Sequence, residues 1–179
     1  YGPNRDVHSG TYGGTIANPI TILCQMAAKL HDKNGKIAVP GFYNDVKMAS
    51  KWERQQFKKL PYNESTYKKS IGVPALHGEK GFTTYERNWI RPTLEINGIT
   101  GGYQGEGSKT IIPSYASCKI TMRLVPKMRP EDVANKLEKY LKKIAPKSVR
   151  VEVKKYGGAK AVIVPSEGPW LEAASRAIQ

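Results

Sequence analysis

Three histidines, His8, His31 and His77, are the residues best suited to acid–base or metal chemistry in this sequence. A catalytic zinc takes about three protein ligands plus a water. No HExxH or HxD pattern and no cysteine cluster supplies such a set at local spacing, so metal binding by this chain is not expected. The run His8-Ser9-Gly10, followed by Tyr12-Gly13-Gly14, places one imidazole beside backbone that can approach a ligand closely. By chemistry alone, His8 reads first as a surface-loop residue with a structural hydrogen bond. The second reading is an imidazole that polarises an oxyanion without binding metal.

The segment from Gly102 to Thr110 (GYQGEGSKT) looks like a phosphate loop at first sight. That loop needs GxxxxGK[ST], and here Ser108 separates Gly107 from Lys109. The lysine and hydroxyl fall out of register, and Ile111-Ile112-Pro113 follows where a helix should start. Nucleotide binding is therefore rejected. Thr110 is unremarkable alone. Arg123 projects from the polar face of an otherwise apolar strand, and its planar fork suits a carboxylate. An ordinary surface charge pair is the plainer account of it.

These residues need elements to hold them. Residues 1–15 read as a Gly-rich loop. Asn18-Pro19 opens a helix, with Asn as cap and Pro in the first turn, and Ile20, Leu23, Ala27 and Leu30 form its stripe. Residues 36–90, broken by Pro40, Pro61, Gly72 and Pro74, read as a partly helical insertion, with Trp52 to Leu60 its clearest helix. Thr93–Asn97 alternates as a strand, and Gly98–Gly107 reads as a second loop. Ser117–Val125 is the clearest strand: Cys118, Ile120, Met122 and Leu124 share one face, and Lys119, Thr121 and Arg123 the other. Pro130-Glu131-Asp132 opens a second helix with buried stripe Val133, Leu137, Leu141 and Ile144. Val149, Val151 and Val153 alternate with charged residues as a further strand.

One strand added before residue 1 turns this order into βαββαβ. The expected fold is α+β, a ferredoxin-like sandwich of an antiparallel sheet with two helices on one face. Its first strand is truncated, and an insertion covers about 36–90. Two segments complete the reading. Ala161–Val164 is a candidate to fill the first-strand position. Pro169 onward begins an amphipathic helix that looks like the entry to another domain. The expected division is 1–165 and 166–179.

Composition narrows the class. There are 179 residues, enough for one domain with a real core. No apolar run approaches the ~20 residues that cross a membrane, and Tyr1–Asp6 has no signal-peptide character. Cys24 and Cys118 read as buried free thiols, and the lack of a disulfide framework favours a cytoplasmic setting. The net charge of +14, from 29 basic and 15 acidic residues, raises a nucleic-acid-binding ferredoxin-like module as the alternative. Against it, the lysines fall in separate doublets. The polar face of 117–125 also lacks the aromatics on which such a fold stacks bases.

Several segments, in order, resemble the lid and dimerisation domain of the aminoacylase/carnosinase/succinyl-diaminopimelate desuccinylase family of two-zinc peptidases. They are Gly2 to Gly10 (GPNRDVHSG) with Tyr12-Gly13-Gly14, Asn18-Pro19, Gly35 to Tyr43 (GKIAVPGFY), Gly101 to Pro113 (GGYQGEGSKTIIP), Ile120 to Pro126 (ITMRLVP) and Pro169 to Ala173 (PWLEA). The match is thin across 45–90. The resemblance implies a homodimer formed through an edge strand and a helix. It implies that His8 reaches the partner subunit's active site as a catalytic residue that stabilises an oxyanion. Thr110 and Arg123 would bind the carboxylate of a peptide or N-acyl amino acid substrate. The two zinc ions would lie in a separate catalytic domain, which 166–179 would begin, and this chain alone would hold no cofactor and be inactive.

Overall fold

A computed structural model describes residues 1–164 and 168–178. The elements are β1 (Val7–His8), α1 (Ser9–Tyr12), α2 (Pro19–Ala28), α3 (Lys51–Lys59), α4 (Glu64–Ile71), α5 (Thr84–Trp89), β2 (Thr93–Gly101), β3 (Ile111–Ile112), β4 (Ala116–Arg123), α6 (Pro130–Ile144) and α7 (Pro169–Ile178). The class is α+β. The boundary expected between residues 165 and 166 lies outside the described residues.

β2 and β4 form the main antiparallel ladder, from Thr93 opposite Arg123 to Gly101 opposite Ala116. β4 alternates as its sequence requires, with Ala116, Cys118, Ile120 and Met122 turned inward and Ser117, Lys119, Thr121 and Arg123 outward. β2 runs four residues beyond the expected Asn97. A bulge between Ile96 and Gly98 shifts its phase by one, so that Ile99, opposite Cys118, stays on the same face as Leu94 and Ile96. Gly98 and Gly101, read as loop residues, are thus strand residues, whereas Gly102, Gly105 and Gly107 lie in the loop as expected. Gly101 shows why one is needed: a Cβ there would lie 2.9 Å from the Ala116 Cβ and 3.2 Å from Ile20 Cγ1 of α2.

α2 packs across β4 and β2. Asn18 caps it by accepting from the Ile20 N–H at 2.9 Å, and Pro19 fills the first turn. α6 begins at Pro130 with Glu131 and Asp132 at its positive end and Lys142 and Lys143 at its negative end. Its Val133 and Leu137 join Leu30, Leu94, Val125 and Met128 in one core. Ile37, Val39 and Phe42, from inside the range read as insertion, belong to that same core.

The inserted helices α3, α4 and α5 bear out the partly helical reading. Ser50 and Thr83 each start a helix with a reciprocal capping box. Arg91 anchors this module. Its guanidinium gives Glu79 two hydrogen bonds, at 2.8 and 2.7 Å, and lies 4.3 Å over the Phe82 ring. Glu86, only 2 % exposed, receives Arg54 Nε at 2.5 Å and the Thr83 N–H at 2.7 Å.

Two strand expectations are corrected. Residues 149–153 form no ladder among the described residues, although Val149, Val151 and Val153 are half-buried and Arg150 and Glu152 exposed. Burial alternation makes a segment extended, whereas a ladder needs a neighbour's backbone. Tyr1 alone provides one: its amino group donates to the Arg150 carbonyl at 2.8 Å, and its carbonyl accepts from the Arg150 N–H at 2.9 Å. Gly2 N–H donates to the Ser114 carbonyl beside β4 at 2.8 Å. Tyr1-Gly2 therefore bridges β4 and the 149–153 segment where the first strand was expected. Residues 161–164 do not fill that position: Val162 is 85 % exposed and has no regular structure.

Both cysteines are free. Cys24 is exposed on α2 rather than buried, because the helix turns Met26 and Leu30 inward instead. Cys118 is half-buried, and burial pushes its thiol pKa up. No described helix is long and apolar enough to cross a membrane.

Candidate functional site

The N-terminal segment is stapled along its length to residues 110–114. Val7 pairs with Ile112 and His8 with Ile111. The Ser9 N–H donates to the Thr110 carbonyl at 3.1 Å. Asp6 Oδ1 accepts from both the Ser114 N–H at 2.8 Å and the Ser114 hydroxyl at 3.0 Å. Those bonds to Ser114, backbone first, hold the Asp6 carboxyl below the usual carboxylate range, with Lys109 adding a smaller electrostatic pull.

This staple places His8 against Thr110. His8 Nε2 lies 2.9 Å from Thr110 Oγ1, and His8 Nδ1 accepts from the Gly10 N–H at 3.0 Å. His8 is thereby the N-cap of α1. Both side chains are exposed, so the pair presents an imidazole and a hydroxyl to whatever meets this surface. One N–H and one hydroxyl held together can donate to adjacent oxygens of a carbonyl or carboxylate.

Arg123 lies elsewhere. It closes β4 opposite Thr93, about 23 Å along the strand from Ala116 at a rise of about 3.3 Å per residue. Its side chain makes no hydrogen bond or ion pair among the described residues, and it points to the exposed polar face. Of the three expected site residues, the fold brings His8 and Thr110 together beside the β1–β3 pair, while Arg123 closes β4 in the separate β2–β4 sheet.

Sequence reasoning did not anticipate Gly10 or Asp6 as supports of the site. Asp6 carries only a weak signal, an acid two residues before the histidine. The partner Ser114 is set by tertiary pairing. Among the described residues no group of three or more His, Cys, Asp or Glu is placed to hold a metal ion.

A cavity of about 590 Å³ opens in the inserted module between α3 and the Gly81–Thr83 turn, lined by Lys51, Arg54, Lys58, Phe82 and Glu86. It contains none of the three expected residues.

Comparison with known proteins places the domain in a family. Residues 2–149 match the model of the peptidase dimerisation domain. The chain is 32 % identical to the Cys-Gly metallodipeptidase dug1 of Schizosaccharomyces pombe, over 80 % of this chain and 30 % of that protein. It is 30 % identical to the Beta-Ala-His dipeptidase of Rattus norvegicus, over 79 % of this chain and 29 % of that one. Among solved structures, an M20 family metallo-carboxypeptidase from Sulfolobus solfataricus superposes with a TM-score of 0.69 at 33 % identity, covering 79 % of this chain and 37 % of that one. The chain thus spans about 30 % of the length of these curated relatives. Nothing in the comparisons supports the nucleic-acid alternative. With a family match across residues 2–149 and the same fold in the solved relative, the chain belongs to the M20 peptidase dimerisation-domain family.

Proposed function

We propose that this domain pairs two subunits of a metal-dependent dipeptidase or amidohydrolase and supplies His8 to the active site of the partner subunit. The observation that carries the reading is the exposed His8–Thr110 pair, built by two segments far apart in sequence and held by the β1–β3 pairing, the Ser9 N–H bond to the Thr110 carbonyl and the two Ser114 bonds to the Asp6 carboxylate. In this reading His8 donates to the oxyanion of the substrate amide. Thr110, and from its separate position Arg123, bind the free carboxylate of a peptide or N-acyl amino acid.

The surface proposed for pairing is β2 with α2. Among the described residues β2 is hydrogen-bonded only to β4, so its other edge offers backbone groups for pairing. Ile99 on its inner face is 51 % exposed, and Cys24 and Ala28 of α2 are exposed as well. α7, with Trp170 89 % exposed and no buried residue, is assigned to a catalytic part that carries the metal ions, in line with the greater length of the relatives. Two free cysteines support a reducing, cytoplasmic setting.

Mixed dimers of the whole enzyme test the trans role. One subunit carries His8→Ala, and the other is disabled in the metal-binding part. A histidine acting in trans restores one working site per mixed dimer. A histidine acting within its own subunit restores none, and that result would remove the proposal.

A further inference from the structure

The His8 ring is held at both nitrogens, and the two partners differ in what they allow. The Gly10 backbone N–H can only donate, and it lies 3.0 Å from Nδ1. Nδ1 must therefore present its lone pair, so a neutral His8 carries its proton on Nε2. That proton faces Thr110 Oγ1, 2.9 Å away. A hydroxyl oxygen that accepts there keeps its own hydrogen free to turn toward a second acceptor.

Turning the ring over would replace Nδ1 and Nε2 by carbon and lose both bonds. Moving the proton to Nδ1 would set two hydrogens against each other and uncap α1. Residue 10 also guards the ring sterically. A Cβ at Gly10 would lie 2.8 Å from His8 Cε1 and 3.0 Å from Nδ1, so any side chain there displaces the imidazole. On the other side, the His8–Ile111 pairing and the Ser9 N–H to Thr110 carbonyl bond fix the backbone that carries Oγ1.

We propose that Gly10 and Thr110 are positioning residues for His8: Gly10 fixes the Nε2–H tautomer, and Thr110 Oγ1 holds that N–H until a substrate oxygen takes its place. The proposal deepens the reading of His8 as an oxyanion donor and rests on it for its catalytic meaning. The tautomer matters because an imidazole presenting a lone pair would repel the oxyanion that an N–H stabilises. The exchange of Thr110 Oγ1 for a substrate oxygen conserves bonds: one N–H···O contact breaks as another forms, and no proton changes hands.

The tautomer is directly readable in the 179-residue chain, without activity. Long-range ¹H–¹⁵N spectra of ¹⁵N-labelled chain are recorded at mildly alkaline pH, where imidazole is neutral, with His8→Gln used for assignment. The expected result is an unprotonated Nδ1 and a protonated Nε2. In Gly10→Ala the Nδ1–H form should become a readily measured fraction. In Thr110→Val the tautomer should stay the same, while the Nε2 proton exchanges with water roughly three- to tenfold faster. Thr110→Ser should restore the slow exchange. A wild-type His8 mainly protonated at Nδ1, or evenly mixed, would overturn the proposal whether or not Gly10→Ala folds. So would His8 signals unmoved by both variants. Failure of the mixed-dimer test would leave the tautomer result standing, so the two claims fail separately.

Discussion

His8 Nε2 and Thr110 Oγ1 stand 2.9 Å apart although 102 positions separate them in the chain. Neither side chain is buried, so core packing does not account for their meeting. What joins them is the two-residue ladder of Val7–His8 with Ile111–Ile112, reinforced by the Asp6 carboxylate on Ser114. Removing an oxyanion donor typically costs about 10²–10³ in kcat. His8→Ala in the whole enzyme is expected to lose activity on that scale, with a stability loss of only about 1 kcal/mol from the missing α1 cap. Thr110→Val should lose less, roughly tenfold, since one neutral hydrogen bond is removed. Steady-state kinetics beside thermal melts of the same variants separate the two effects.

The Arg91–Glu79 pair gives a stability prediction. Both side chains are largely buried, and the contact is bidentate. Breaking such a pair from one side leaves an uncompensated buried charge, at a cost of about 3–5 kcal/mol. Arg91→Met should therefore destabilise the domain by about that amount in urea unfolding. The double variant Arg91→Met with Glu79→Gln should recover much of the loss. A single variant as stable as the native chain would show that the insertion is not anchored there.

Asp6 predicts an acid response. Its carboxyl is held below the ordinary value of 3.8, chiefly by the Ser114 backbone N–H and then by the Ser114 hydroxyl. A carboxyl lowered by folding stabilises the native state above its unfolded value, and the contribution disappears as pH falls through the lower, folded value. The staple between β1 and β3 should thus loosen only below about pH 4. Asp6→Asn should be less stable near neutrality and show a flatter stability profile between about pH 5 and pH 2. Chemical denaturation across that range checks it.

How far the sequence revealed this arrangement depends on whether a feature is local. The α6 boundaries follow from Pro130 with the acids beside it at the start and Pro146 at the end, and the structure reproduces them. The β4 alternation is equally local. The continuation of β2 through Gly98–Gly101 was hidden, because glycines read as strand breakers unless the partner strand is known. β3 is two residues long and exists only through its pairing with β1, so no periodicity could announce it. Val149–Val153 carries the right alternation for burial, yet its ladder depends on backbone supplied from elsewhere. His8 and Thr110 had no chemical signal strong enough to link them. Their order within a family pattern singled them out, and the fold then brought them together. The Arg91–Glu79 pair carries no signal in the sequence, because burial of an ion pair leaves no mark in composition.

The central claim is that this domain associates with a second copy through β2 and α2. The most direct test is the solution mass of the 179-residue chain by light scattering at low and moderate salt, beside the variant Ile99→Lys. The expected result is a mass near twice 19.9 kDa that salt does not shift, and a drop to the single-chain mass in Ile99→Lys with the fold retained by circular dichroism. A native chain that stays at 19.9 kDa at all working concentrations would contradict it, as would an Ile99→Lys variant that dimerises undisturbed.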